Sequence, residues 1–166
     1  NGYAVSAVVG SEEIMQSAQS TFISSTFWTE RLGSVAALKT LEVMEQVRPW
    51  ETAIEVGLSV QQIWKETAEA NGLEISVSGL PALSSYSFKS TDNLAYKTLI
   101  TQEFLKRGYL AGTVFYASYA HDINKFDEYA DILNEVYKLI AKCENGQSVN
   151  DLLDGPICHA GFKRLN

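Results

Sequence analysis

The densest grouping of side chains able to do chemistry is the stretch Phe22-Ile-Ser-Ser-Thr-Phe-Trp-Thr-Glu-Arg-Leu-Gly33. Its Ser and Thr hydroxyls, with the backbone amides between them, can donate to phosphate oxygens. A helix starting just after them would add the positive end of its dipole. The same residue types are also ordinary helix caps, and taken alone the stretch reads first as a cap. His121 and Asp122 are adjacent; a general base needs its partner within hydrogen-bond reach, so this pair reads first as a polar strand-to-helix junction. Cys158 and His159 would make a thiolate pair only if adjacent side chains pointed the same way, and an isolated cysteine is usually inert. Lys97, Lys106 and Lys163 are chemically able to form Schiff bases. The first two fall on one helical stretch among polar residues, where a solvated face accounts for them. No catalytic residue is assigned within the chain. Nor is a metal site, because the only two cysteines, Cys143 and Cys158, match no ligand spacing. P-loop, dinucleotide-fingerprint, zincin and nucleophile-elbow motifs are all absent.

These residues have to be positioned by regular elements. Tyr3 to Val9 is a short apolar run ending at Gly10, the pattern of a strand buried on both faces. Ser11 can cap a short helix whose first turn holds Glu12 and Glu13. Residues 21–29 have no helical period and read as a loop, with Thr29 as the N-cap of the next helix. Ala37, Leu38, Leu41 and Met44 carry that helix to Val47. Pro49 restarts it, since proline suits a first helical position. Val56, Val60, Ile63 and Thr67 share a face, and Asn71-Gly72 stops the helix.

The period then changes to two. Leu73, Ile75 and Val77 alternate with polar residues, 79–82 is a turn, and Tyr86 and Phe88 mark a second strand. Asp92 is placed to cap a helix over 93–107, and 113–119 is a third strand rich in aromatic and β-branched residues. Asn124 with Asp127 suggests a capping box for a helix bearing Phe126, Ala130, Leu133, Tyr137 and Ile140. A helical turn is expected near Val149 to Leu153. From Pro49 onward the order helix, strand, strand, helix, strand, helix predicts helices packed on one face of a short sheet. Residues 1–48 do not belong to that layer and read as the end of another domain.

Hydrophobic residues make up 46 % of the 166, enough to build a core. The net charge of −7 argues against nucleic acid or an anionic membrane as partner. No apolar run approaches the roughly 20 residues of a membrane span, and no signal peptide is visible. Two thiols without a disulfide framework suit a cytoplasmic protein. The chain opens on Asn1 and enters strand-like sequence at once, the pattern expected of a fragment of something longer.

Asn1-Gly-Tyr-Ala-Val-Ser-Ala-Val-Val-Gly10 resembles the stretch just after the pyridoxal-phosphate (PLP) lysine in class III aminotransferases, in the glutamate-1-semialdehyde aminomutase-like branch. Ser24-Ser-Thr-Phe-Trp-Thr-Glu30 resembles that family's loop carrying a threonine to the cofactor phosphate; Thr26 matches the threonine, and Ser25 stands where glycine is usual. Ile75-Ser-Val-Ser-Gly79 resembles the small-domain strand and turn of that branch, and Tyr116-Ala-Ser-Tyr-Ala-His-Asp122, followed by the helix from Asn124, resembles its final strand and last helix. Trp28-Thr-Glu-Arg31 replaces the family's usual Ser-Gly-Asn-Pro, and the tail after Glu144 is not a family feature.

The resemblance implies an α/β protein of the fold type I, aspartate-aminotransferase-like class. Residues 1–48 would be the end of the large PLP-binding domain and 49–166 a small α+β C-terminal domain. It implies PLP held by a lysine upstream of Asn1, with Ser25 and Thr26 as cofactor-binding residues of a homodimer whose loop reaches the partner's PLP. Small-molecule amino donors and acceptors would be the substrates, through either transamination or intramolecular amino transfer. This chain alone would be inert, with apolar surface exposed where the rest of the large domain packs. The alternative is a non-catalytic α+β module for protein contact or regulatory ligand binding.

Overall fold

The structure, a computed structural model, describes residues 2–23 and 26–161. It divides into two compact units, Asn1–Arg48 and Pro49–Asn166.

In the first unit, α1 (Glu12–Gln16) runs into a 3-10 turn, Ser17–Ser20, and α2 spans Arg31–Val47. Ser11 holds the N-cap position of α1 without a side-chain hydrogen bond, so Glu12 and Glu13 support that turn through the dipole alone. The strand expected over Tyr3–Val9 does not form. These residues join no ladder, and Val8 and Val9 are 65 % and 87 % exposed. A strand exists only by pairing, and no strand among the described residues runs beside this one. The cap of α2 also moves by one residue, from Thr29 to Glu30, whose extended backbone (φ −61°, ψ 132°) precedes the first helical residue. Leu32, Val35, Leu38 and Leu41 form an exposed apolar face on α2, and Gly33 is the unit's one buried residue among those described. Gly33 is bare for a reason: a Cβ there would sit 3.0 Å from the Ala4 carbonyl oxygen.

The second unit has a true core. Helix α3 (Pro49–Ala70) leads into a hairpin of β1 (Ile75–Leu80) and β2 (Leu83–Phe88), then α4 (Asn93–Lys106), β3 (Val114–Tyr116) and α5 (Phe126–Glu144). The sheet is antiparallel in the order β1-β2-β3, with Val77 opposite Tyr86 and Ser84 opposite Phe115. Alternation sends Tyr86 and Phe88 inward and leaves Ser76, Ser78 and Ser87 outside. Gly79 is required in the hairpin: its φ is +91°, and a Cβ would collide with the Leu83 carbonyl oxygen.

The three long helices cover the inner face. Val56, Val60, Trp64 and Ala68 form the buried row of α3, a slightly different stripe from that predicted, with Ile63 and Thr67 at its edge. Leu99, Ile100 and Phe104 from α4 and Leu133, Val136 and Ile140 from α5 complete a core in which each is fully buried. Two expectations are corrected. The third strand spans three residues rather than seven, because β3 pairs only with Leu83 to Ser85 of β2. The start of α5 is organised by Asp122, not Asn124. The Asp122 carboxylate accepts from the Asn124 amide at 3.0 Å, shaping the 3-10 turn Ile123–Lys125 that enters the helix.

The tail also has a place. The 3-10 turn Val149–Leu152 buries Val149, and the chain then follows α4. Gln102 donates to the Leu152 carbonyl (2.9 Å) and accepts from the Asp154 amide (2.7 Å), while Cys158 N–H donates to Thr98 Oγ1 (3.0 Å). Nearby, Glu103 meets Lys106 at 2.8 Å and Arg107 at 3.0 Å. Burial opposes ionisation of Glu103, but hydrogen bonds from Lys106, Gln102 and Arg107 prevail and hold its carboxyl down at about 2. A carboxyl depressed in the folded state contributes stability above its unfolded value, near 4.5, which is lost as pH falls toward 2. Glu103→Gln should therefore flatten the pH dependence of urea unfolding between those limits. An unchanged slope would mean that this network is not what acid disrupts.

Candidate functional site

In the first unit the hydroxyl-rich loop runs directly into α2. Thr26 lies at a bend and is exposed, and its hydroxyl makes no hydrogen bond to another described residue. Ser25 lies outside the described residues. After Thr26 the chain closes a tight turn in which the Glu30 amide donates to the Phe27 carbonyl at 2.7 Å. Trp28 sits in that turn with φ 36°, a left-handed conformation that costs a bulky residue about 1 kcal/mol and lasts only where neighbours hold it.

Phe27, Trp28 and Glu30, with Gly33 and Ser34 of α2 and residues 4–6, enclose a concavity of 480 Å³. Glu30 puts a carboxylate beside the positive end of the α2 dipole. Among the described residues of the loop, the Thr26 hydroxyl and the backbone amides are the groups able to donate to an anion. The unit's single lysine, Lys39, is bound to Glu42 at 2.7 Å on α2. The loop's sequence contains no lysine and so supplies no amine.

The other sequence candidates fall apart in space. His121 and Asp122 do not act on one another. Nδ1 of His121 accepts from the Ser118 amide at 3.0 Å, and the ring lies 4.7 Å from Phe115, while Asp122 caps the turn. Cys158 is tied to α4 through its backbone. Lys106 is paired with Glu103 and with Asp154, each at 2.8 Å, and Lys97 is exposed. Lys163 lies outside the described residues. No three His, Cys, Asp or Glu among the described residues come together as a metal site.

One feature was missed by sequence reasoning: a 330 Å³ cavity wholly within the second unit, walled by Trp64, Tyr109, Phe115, Phe126 and Tyr129, with His121, Asp122 and Lys125 as polar members. Trp64 Nε1 donates to the Tyr129 hydroxyl at 2.7 Å, and burial pushes that phenol up to about 12. The only forewarning was the run of aromatics at 109, 115, 126 and 129, which also reads as core.

No family model matches the chain. The 3-aminobutyryl-CoA aminotransferase of Cloacimonas acidaminovorans (strain Evry) is 34 % identical over 122 residues, which are 73 % of this chain and 29 % of that protein. The aminopentol aminotransferase of Sphingopyxis macrogoltabida is 29 % identical over 79 residues, 48 % of this chain and 19 % of that one. Among solved structures, the FumI protein of Sphingopyxis sp. MTA144, in its PLP internal aldimine form, superposes on 87 % of this chain and 36 % of its own with a TM-score of 0.69 at 19 % identity, a shared fold. The chain is a homologue of a segment of aminotransferases and folds like a segment of a PLP protein. It spans between about a fifth and a third of the length of these relatives.

Proposed function

We propose that this chain is the C-terminal part of a class III, PLP-dependent aminotransferase or aminomutase of fold type I. Residues 1–48 then form the end of the large domain and 49–166 the small domain. The observation that carries the reading is the 34 % identity with an aminotransferase over 122 residues. It is supported by the Thr26 hydroxyl, which bonds to no other described residue, on a loop of the right composition. Two further features are consistent with it: the apolar face of α2 has no cover within this unit, and no helix among the described residues is long and apolar enough to cross a membrane.

PLP would supply the electron sink for moving an amino group between small-molecule substrates. The chain's own contribution is to hold and orient: Thr26 donates to the phosphate, with Ser25 beside it. The turn at Trp28 fixes where that donor stands. The lysine comes from sequence preceding Asn1, and in a homodimer the loop would serve the partner's cofactor.

Borohydride reduction of the natural protein carrying this chain, in the presence of PLP, tests the reading by peptide mapping. The expected product is a phosphopyridoxyl lysine shortly before Asn1. A full-length protein that retains no PLP on any lysine would favour the non-catalytic ligand-binding module, a reading the cavity in the second unit independently supports. Thr26→Ala in that protein should weaken PLP retention about tenfold, the worth of one hydrogen bond to a charged group. Unchanged retention on dialysis would remove Thr26 from the phosphate site.

A further inference from the structure

We infer that the cavity of the second unit binds a small molecule with a ring-sized apolar body and one carboxylate. Size comes first. A cavity of about 150 Å³ suffices for benzene, and this one measures 330 Å³, leaving room for a ring and a short chain. Its wall is mostly aromatic, which favours a flat or branched apolar body.

The polar members of the wall decide the other end of the ligand. The Tyr129 oxygen already accepts from Trp64, so what it still offers is its proton, for which no described residue is an acceptor. Nδ1 of His121 accepts the Ser118 amide, which places the proton of the neutral ring on Nε2. That N–H likewise meets no acceptor among the described residues. Lys125 is exposed and enters no ion pair with a described residue. The wall also holds one carboxylate, Asp122; one of its oxygens accepts both the amide and the side-chain N–H of Asn124, at 3.0 and 2.7 Å. Three donors that meet no acceptor among the described residues, one of them a full positive charge, call for a ligand rich in acceptors; a carboxylate satisfies more of them than a neutral carbonyl does.

The test is an NMR titration of the full chain with 3-phenylpropionate, 3-phenylpropanamide and phenethylamine, followed by Lys125→Gln. Phenylpropionate should shift amides around 109–112 and 120–129 and bind at least tenfold tighter than phenethylamine. Lys125→Gln should weaken the carboxylate roughly fivefold, as loss of one partly screened charge predicts, and leave the amide's affinity unchanged. Ala111→Leu, which fills the wall, should abolish binding of both. No shifts up to about 10 mM, the weak end of useful affinity, would overturn the inference. So would shifts elsewhere, or equal binding of acid, amide and amine. The titration contains no PLP, so its outcome and that of the borohydride experiment are independent.

Discussion

Gly57→Ala should destabilise the second unit by about 3 kcal/mol, where an ordinary glycine-to-alanine change inside a helix would stabilise by about 1 kcal/mol. The reversal comes from one contact. Gly57 is buried on α3, and an added Cβ would fall inside the van der Waals shell of the Pro81 carbonyl carbon and oxygen. Both are backbone atoms of the turn between β1 and β2, so no flexible side chain can move aside. The turn is also held where it is. One helical turn after Gly57, Gln61 donates to the buried Ser84 hydroxyl at 2.7 Å, and that hydroxyl lies 3.1 Å from the Leu80 carbonyl oxygen and 3.0 Å from that of Pro81. Accommodating a methyl group means lifting the hairpin off the helix and stretching these bonds. Thermal unfolding should fall by about 10 °C, on the usual scaling for a domain of this size. Glu55→Ala, on the same helix but exposed, should change little. A stabilised Gly57→Ala protein would show that hairpin and helix are not in this contact.

Trp64→Ala should cost still more, about 4 kcal/mol, a large share of the 5–15 kcal/mol typical of a domain. Trp64 is fully buried at the point where three elements meet. Its ring lies 4.6 Å from Tyr86 on β2, and its indole N–H reaches Tyr129 on α5. Truncation removes the apolar contact, opens a cavity beside the existing one, and leaves the Tyr129 oxygen without its donor. Trp64→Phe keeps most of the contact and loses the hydrogen bond, so its cost should be about 1.5 kcal/mol. Urea unfolding should rank the proteins native, Phe, Ala. Equal costs for the two variants would mean that volume contributes nothing here, which full burial of the ring does not allow.

The second unit was legible in its sequence because its signals are local and agree with one another. The helical period at 56–68, the switch to alternation at 73 and Asn71-Gly72 each state an element or its end, and each element finds its partner within the same hundred residues. The expectations that failed are those that depend on a partner. Tyr3 to Val9 has the composition of a buried strand, yet composition cannot provide a neighbouring strand, and without one the segment stays unpaired. Residues 113–119 are rich in β-formers, but β2 offers a ladder to only three of them. At the head of α5, Asn124 and Asp122 are both chemically fit to cap; only backbone placement selects Asp122.

The candidate cofactor loop divides in the same way. That Thr26 is a hydroxyl in a loop before a helix was written in the residues, as was the absence of a lysine in the first unit's loop. That its hydroxyl bonds to no other described residue, and that Glu30 rather than Thr29 takes the cap position of α2, followed only from the fold. The cavity of the second unit was invisible in the sequence, since aromatics at 109, 115, 126 and 129 would serve equally well in a filled core. Whether packed rings close up or leave a space is set by how α3, β3 and α5 cross, a property of three-dimensional packing that no single stretch of chain contains.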